Sequence, residues 1–195
     1  TDGRTKMPWI FDYDVDGLHR VRIGRGSFAR VFKGKMQRDD NSKIPIAVKE
    51  LIQYEVPSVR QSFDSEIRML GELNHENIIK SFGWDDTKTE APCLLLQLVQ
   101  GGNLQDLVKL YGPVWEPQRP ETESLIAWYA VQLCRAVEYL HGKQIMSRDI
   151  KDENCMVNQF DGSLVLIDFG THKDMSEIQP VTASFAGTPM TMSGT

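Results

Sequence analysis

Cysteine is scarce in this chain, and the little there is forms no pattern. Cys93, Cys134 and Cys155 are odd in number and far apart, with no Cys-x-x-Cys pair. That argues against a disulfide framework or a zinc site and for the reduced thiols of an intracellular protein. Long apolar runs are missing as well, and no signal peptide opens the chain, so no membrane partner is expected. Positive charge is not in excess. Lys and Arg number 22 against 27 Asp and Glu, a net charge of −5. Nucleic-acid binders more often carry a basic balance, so nucleic acid is not an expected partner. Internal repeats and low-complexity tracts are absent too.

What is present is ordinary for a globular chain. At 195 residues, 41% hydrophobic and 25% charged, it is long enough to bury a core in one domain or two small lobes. Thr1 in place of Met points to an N-terminus processed or cut from something longer.

Residues 1 to about 16 are polar and read as a loose leader. From Leu18 to Val31, β-type residues flank a Gly-rich stretch, which predicts a hairpin. Ile44 to Leu51 is a strand. Pro57-Ser58 opens a helix with Ser58 as N-cap, Gln61 at the capping-box position, and Val59, Phe63, Ile67 and Leu70 on one apolar face. Asn77 to Phe82 and Cys93 to Val99 read as further strands, and Leu104 to Leu110 as a short helix. Thr122 caps a long helix to about Leu140, with Leu125, Tyr129, Leu133, Ala136 and Leu140 inward and Gly142 as its stop. Cys155 to Asn158 and Leu164 to Ile167 are short strands around an Asp161-Gly162 turn. The expected class is α+β, two unequal lobes joined near Val99 to Gly102.

Three motifs carry chemistry. In Ile23-Gly24-Arg25-Gly26-Ser27-Phe28-Ala29-Arg30-Val31, glycines one residue apart between strands let backbone N–H groups approach phosphates. No Gly-Lys-Ser/Thr follows, so it is not a Walker A loop, and a strand follows where a dinucleotide fold would have a helix. A glycine-rich hairpin turn is the plainer reading of this motif alone. In Ile46-Ala47-Val48-Lys49, alternation turns Lys49 to the face of Ala47, where an inward lysine needs an anion. Glu66, 17 residues on and beside the apolar helix face, is the candidate partner. An exposed strand-end lysine and a solvated helix glutamate are the plainer readings.

The third motif is Ser147-Arg148-Asp149-Ile150-Lys151-Asp152-Glu153-Asn154, followed fourteen residues after Asn154 by Asp168-Phe169-Gly170. Asp149 would accept or orient a hydroxyl proton, and Lys151 would neutralise charge on a transferring phosphate. Asn154 and Asp168 would hold a divalent metal. Each of these residues alone reads as a turn former, but their joint order is far more specific.

From about Leu18 onward the chain resembles the protein kinase superfamily, and Lys151 in Asp-x-Lys-x-x-Asn is similar to its Ser/Thr branch. The resemblance implies a leader over 1–17, a strand-rich small lobe over 18–99 and a partial, mainly helical large lobe over 100–195. It implies that ATP and Mg²⁺ are clamped between the lobes. Ile23, Gly24, Arg25, Gly26, Ser27, Phe28 and Ala29 would cover the nucleotide, with Ala29 in place of the last glycine. Val31 and Ala47 would roof the adenine and Met156 would floor it. Leu96 falls at the gatekeeper, Gln97, Leu98 and Val99 at the hinge, and Asn103 where ribose is contacted. The implied reaction is transfer of the ATP γ-phosphate to Ser or Thr hydroxyls of a protein, with Asp149, Lys151, Lys49 and Glu66 as catalytic residues. The rival implication is an inactive nucleotide-binding pseudokinase or regulatory fragment. Gly187-Thr188-Pro189 matches the substrate-peptide segment, and Thr171, Ser176, Thr182 and Ser184 precede it. With Arg148 before Asp149, the resemblance offers Thr182 or Ser184 as the phosphosite of an upstream kinase, although a polar loop residue is the plainer reading of any one of them.

Two departures stand out. Ser147 replaces the family's usual His and loses ring contact with Phe169, which implies a looser active arrangement; Ser81 falls near a usually apolar position of the same stack. The sequence ends at Thr195, where the family continues into further helices. A truncated large lobe with an apolar helix face exposed is therefore expected.

Overall fold

A computed structural model of the protein describes residues 11–16, 19–86, 91–111, 120–170 and 173–174. In chain order the small-lobe strands are β1 (Phe11–Tyr13), β2 (Val15–Asp16), β3 (His19–Arg20), β4 (Arg22–Arg25), β5 (Ala29–Gln37), β6 (Lys43–Leu51), β7 (Ser81–Asp85) and β8 (Cys93–Gln97). Helix α1 (Pro57–Glu72) lies between β6 and β7 in sequence. The larger part holds β9 (Gly101–Asn103), α2 (Leu104–Tyr111), α3 (Pro120–Gly142), β10 (Ile145–Met146), a one-turn helix at Asp152–Asn154, β11 (Cys155–Asn158), β12 (Leu164–Leu166) and β13 (Lys173–Asp174). This is the expected α+β class, a strand-rich lobe with one helix followed by a mainly helical lobe.

The main sheet runs β1-β5-β6-β8-β7, with β4 also on β5, and the β5–β6 pairing is antiparallel from Ala29↔Leu51 to Gln37↔Lys43. Alternation along β6 sorts its side chains onto two cores. Ala47 and Leu51 join the inner cluster with Phe63, Ile67 and Leu70 of α1, and with Leu164, Leu166 and Phe169. Ile46 and Val48 join the outer cluster with Phe11, Met36, Cys93 and Leu95. Each fully buried aliphatic or aromatic side chain of this kind stabilises the fold by about 1.5–3 kcal/mol.

Four expectations are corrected. The leader is not loose up to residue 16: Phe11–Tyr13 pairs with Met36, Lys35 and Gly34, and Phe11 is buried in the outer cluster. The signal was the alternation Phe11-Asp12-Tyr13-Asp14-Val15, masked by the polar average. Ser58 does not cap α1. The cap is Val56, extended and without a side-chain bond. Pro57 at the first helical position forces its predecessor out of helix, so Ser58 is already inside the first turn. Thr122 likewise lies within α3, which begins at Pro120.

The strand expected from Asn77 starts only at Ser81. Residues 77–80 are held instead by the large lobe. Leu166 donates its N–H to the Asn77 carbonyl at 2.9 Å, and Ile79 donates to the Leu166 carbonyl at 2.9 Å. The Asn77 amide donates to Gln132 Oε1 at 2.9 Å and to the Leu164 carbonyl at 2.8 Å. These bonds satisfy the Asn77 backbone carbonyl and side-chain N–H groups and tie the two lobes together, while the buried Asn77 Oδ1 has no partner among the described residues.

Along α3, Ala136 and Leu140 are buried and Tyr129 and Leu133 pack on the inner cluster, as expected, while Leu125 is half-buried. Ile126, Trp128 and Val131 stand exposed. At the lobe junction, Gly101 faces the Val157 carbonyl so closely that a Cβ would stand 1.9 Å from it. Only glycine lets β9 lie against β11 there.

Candidate active site

Lys49 sits on β6 opposite Leu94 and Val31, on the same face as Ala47. Across from it, Phe63, Glu66, Ile67 and Leu70 are buried on one face of α1. The Lys49 ammonium donates to Glu66 Oε1 at 2.6 Å and Oε2 at 2.9 Å, and lies 3.4 Å from Asp168 Oδ1. The Glu66 side chain is only 4% exposed, whereas that of Asp168 is 45% exposed. Glu66 is thus fixed in the protein while Asp168 looks into solvent. Burial alone would lower the Lys49 pKa, but the charges of Glu66 and then Asp168 outweigh it and hold it above the ordinary lysine range. Burial would raise Asp168, but Lys49, the Gly170 N–H and Lys151 together hold it below the ordinary carboxylate range.

The second half of the site is a loop around one carboxylate. Lys151 Nζ lies 2.9 Å from Asp149 Oδ2, and this hydrogen bond raises the Lys151 pKa. The buried Asn154 amide donates to the Asp149 carbonyl at 2.8 Å and to its Oδ2 at 3.0 Å. Ile167 donates its N–H to the Asn154 carbonyl at 3.0 Å, which joins this loop to the strand leading into Asp168. Phe169 is 1% exposed within the inner cluster, even with Ser147 in place of an aromatic ring beside it. Ser62 Oγ donates to the Gly170 carbonyl at 3.1 Å, a direct tie from α1 to the loop after Asp168.

A cleft of about 490 Å³ brings the catalytic candidates and part of the glycine-rich loop together. Gly26, Ser27, Phe28, Ala29, Lys49, Glu66, Asp149, Lys151 and Asp168 all line it. Ile23, Gly24 and Arg25 form β4, which runs to its rim, and Gly26 closes the turn by donating to the Ala29 carbonyl at 2.9 Å. Val31, Ala47, Val99 and Met156 do not line this cleft; they lie in or against the inner apolar cluster. The Gln97 N–H is taken by the Lys80 carbonyl at 2.8 Å. Asn103 Oδ1 accepts the Asp106 N–H at 2.7 Å, so it caps α2. Thr171, Ser176, Thr182, Ser184 and Gly187-Thr188-Pro189 lie outside the described residues.

Sequence reasoning missed three participants. Ser62 gave no signal beyond standing one helical turn before Glu66. The Asn77–Gln132 bridge had none, because its members are 55 residues apart. Glu50 had one: as Lys49 faces inward, its neighbour must face outward on a buried strand and needs partners of its own.

A strand lysine paired to a helix glutamate, set over an Asp-x-Lys-x-x-Asn loop and an Asp-Phe-Gly loop between two lobes, defines a fold of the phosphoryl-transfer class. Residues 19–193 match the family model described as protein kinase domain. The chain belongs to the protein kinase family, in its Ser/Thr branch.

It is 34% identical over 188 residues to mitogen-activated protein kinase kinase kinase 15 of Mus musculus, which covers 96% of this chain and 13% of that protein. It is 33% identical over 179 residues to mitogen-activated protein kinase kinase kinase 6 of Homo sapiens, covering 91% and 13%. With mitogen-activated protein kinase kinase kinase ANP1 of Arabidopsis thaliana it shares 34% over 184 residues, covering 87% and 25%. The chain thus spans about an eighth of the length of the first two relatives and a quarter of the third. No helix among the described residues is long and apolar enough to cross a membrane.

Proposed function

We propose that this chain catalyses transfer of the ATP γ-phosphate to Ser or Thr hydroxyls of a protein, with residues 18–99 and 100–195 as the two lobes that close on the nucleotide. The observation that carries the reading is the position of Lys49, whose ammonium reaches both Glu66 and Asp168 in the cleft that Asp149 and Lys151 share.

The residues present fit magnesium. Asp168 Oδ1 is engaged by Lys49 and by the Gly170 N–H at 3.1 Å. Asn154 spends its amide nitrogen on Asp149. That leaves Asp168 Oδ2 and Asn154 Oδ1 as hard oxygen donors. Among the described residues no cluster of three or more carboxylate, imidazole or thiolate groups exists. Two oxygen donors suit Mg²⁺, which keeps waters and takes its other ligands from substrate phosphates. When bound there, it neutralises phosphate oxygens.

The remaining work falls to the chain's own side chains. Lys49, aimed by Glu66, holds the nucleotide phosphates. Ile23 to Ala29 and Val31 cover the nucleotide, Ala47 and Met156 enclose the adenine, the Gln97 to Val99 backbone bonds its edge, and Asn103 stands beside the ribose. Asp149 accepts the proton of the incoming hydroxyl as the oxygen bonds to the γ-phosphorus and the bond to the leaving diphosphate breaks. Lys151 stabilises the charge on the phosphoryl oxygens. The three relatives are named as kinases of a mitogen-activated protein kinase kinase. By that likeness the substrate is itself a protein kinase, and an upstream kinase acts on Thr182 or Ser184.

Single-turnover transfer of labelled phosphate tests the reading, comparing the parent with Asp149→Ala. The expected loss is roughly 10²–10⁴-fold. Equal transfer by both proteins would refute it. A melting shift with ATP and magnesium but no transfer by the parent would instead mark a nucleotide-binding regulatory module.

A further inference from the structure

The outer face of the small sheet carries a second charged pocket, remote from the cleft. It is about 650 Å³ and is lined by Arg20, Arg22, Arg30, Phe32 and Glu50, with His19 at its edge. Strand register puts four of these groups on one face, since Arg22 pairs with Phe32 and Arg30 pairs with Glu50, and Arg20 reaches Glu50 from the separate β2–β3 hairpin. Glu50 is 3% exposed and fully committed. It accepts from the Tyr13 hydroxyl and from Arg20 at 2.7 Å, and Arg30 stands 3.7 Å from its other oxygen. The Arg20 guanidinium also lies 4.0 Å from the Tyr13 ring centroid, and that of Arg30 lies 5.8 Å from the Phe32 centroid. Two of the three guanidinium groups are thus held in place by a buried carboxylate and aromatic faces. Arg22 makes no ion pair among the described residues, and Arg30 is 44% exposed. Three arginines thus gather at one pocket on a chain whose net charge is −5.

We propose that this pocket binds a phosphate monoester borne by a phosphorylated protein side chain. Pre-positioned arginines present planar, paired donors that match phosphate oxygens. A pocket of 650 Å³ is far larger than a phosphate group, so it has room for the residues flanking a phosphorylated side chain. The same guanidinium groups form a short pocket, not a stripe, and the negative chain around them disfavours a long polyanion such as nucleic acid.

The test is fluorescence anisotropy on the full chain. The probe is a neutral peptide carrying one phosphoserine, set against its unphosphorylated twin, with inorganic phosphate and an oligothymidine as competitors. Arg22→Gln, Arg30→Gln and the double variant leave the Arg20–Glu50 pair intact. Expected is micromolar binding of the phosphopeptide alone, weakened at least tenfold in the double variant and displaced by millimolar phosphate. Arginine Nε–H signals of the parent should shift with the phosphopeptide, a readout that needs no variant to fold. Equal binding of the twin, unchanged affinity in a folded double variant, or unmoved arginine signals would overturn the proposal. Saturation by inorganic phosphate without binding of the phosphopeptide would overturn the protein-borne ligand, and tighter displacement by oligothymidine than by phosphate would favour nucleic acid instead.

Discussion

Lys49 and Glu50 are neighbours in one strand, and the pleat sends them to opposite faces of the same sheet. Both are enclosed and both are paired, yet they do different things. Glu50, its side chain 4% exposed, is surrounded by Tyr13 and Arg30 of its own sheet and by Arg20 of the small β2–β3 hairpin. Lys49, 16% exposed, reaches partners on two other elements, and one of them, Asp168, is 45% exposed in the cleft. A carboxylate consumed by its own sheet and the β2–β3 hairpin is an anchor. A lysine shared between a helix and the loop that carries Asp168, beside open water, is a group that can take up a new anion. Burial of charge alone does not separate the two; the identity and exposure of the partners does.

The sharpest way to break this contrast is to remove the anchor. Glu50→Ala leaves Tyr13, Arg20 and Arg30 without their shared acceptor; the two arginines are 34% and 44% exposed and can turn to water, so the cost is about 1–3 kcal/mol. That is a large fraction of the total for a typical domain, about 5–15 kcal/mol. Denaturant unfolding should show the drop, while transfer per folded molecule stays within about twofold, on the scale where tenfold is about 1.4 kcal/mol. A stable Glu50→Ala variant would mean that the outer network is ornament.

The inner partner is expected to behave in the reverse way. Lys49→Arg keeps the positive charge beside Glu66, so thermal stability should change little. The planar guanidinium cannot place a point charge where the ammonium stood, and transfer should fall about 100-fold, the scale for losing one electrostatic donor. Retained transfer would place the phosphate contact elsewhere.

How much of this contrast was legible beforehand follows from where each signal lives. The Lys49–Glu66 pair was legible because strand alternation and one helix face each point their residue to the same space. The catalytic loop and Asp168 were legible because several residue types recur in one order. The outer anchor was legible only in part: alternation turns Glu50 outward, but its partner Tyr13 belongs to β1, whose alternation is five residues long and sits in a polar stretch. The start of β7 was misplaced because Asn77 and Ile79 bond to Leu166, 87 residues or more downstream of any local pattern. Ser58 looked like a cap only if Pro57 was ignored.

Acid separates the faces further. The Asp168 pKa is depressed in the folded state. Its contribution to stability is therefore present above the unfolded carboxylate value, about 3.9, and is lost as pH falls through the lower folded value. Tyr13 moves the other way. Burial, then its bond to Glu50, pushes the phenol well above its usual range. Its contribution is present below the unfolded value of about 10 and is lost only as pH rises beyond it. Stability against pH should show Asp168→Asn flattening the acid limb alone and Tyr13→Phe flattening the alkaline limb alone. An acid limb unchanged by Asp168→Asn would detach that carboxylate from Lys49.

The smallest effect concerns the tie between helix α1 and the loop after Asp168. Ser62 is exposed, and its bond to the Gly170 carbonyl competes with water, so Ser62→Ala should cost at most about 0.5–1.5 kcal/mol. The physical interest is in which quantity moves. Ser62 touches no reacting atom, but the carbonyl it holds belongs to the residue whose N–H bonds Asp168 Oδ1. Loosening it should weaken the hold on magnesium more than it slows transfer at saturating magnesium. Titrating transfer against magnesium in Ser62→Ala and in Ser62→Thr, which restores the hydroxyl, separates the cases. A shifted magnesium midpoint rescued by Thr ties α1 to the metal loop, whereas an unshifted midpoint leaves Lys49 as the link between them.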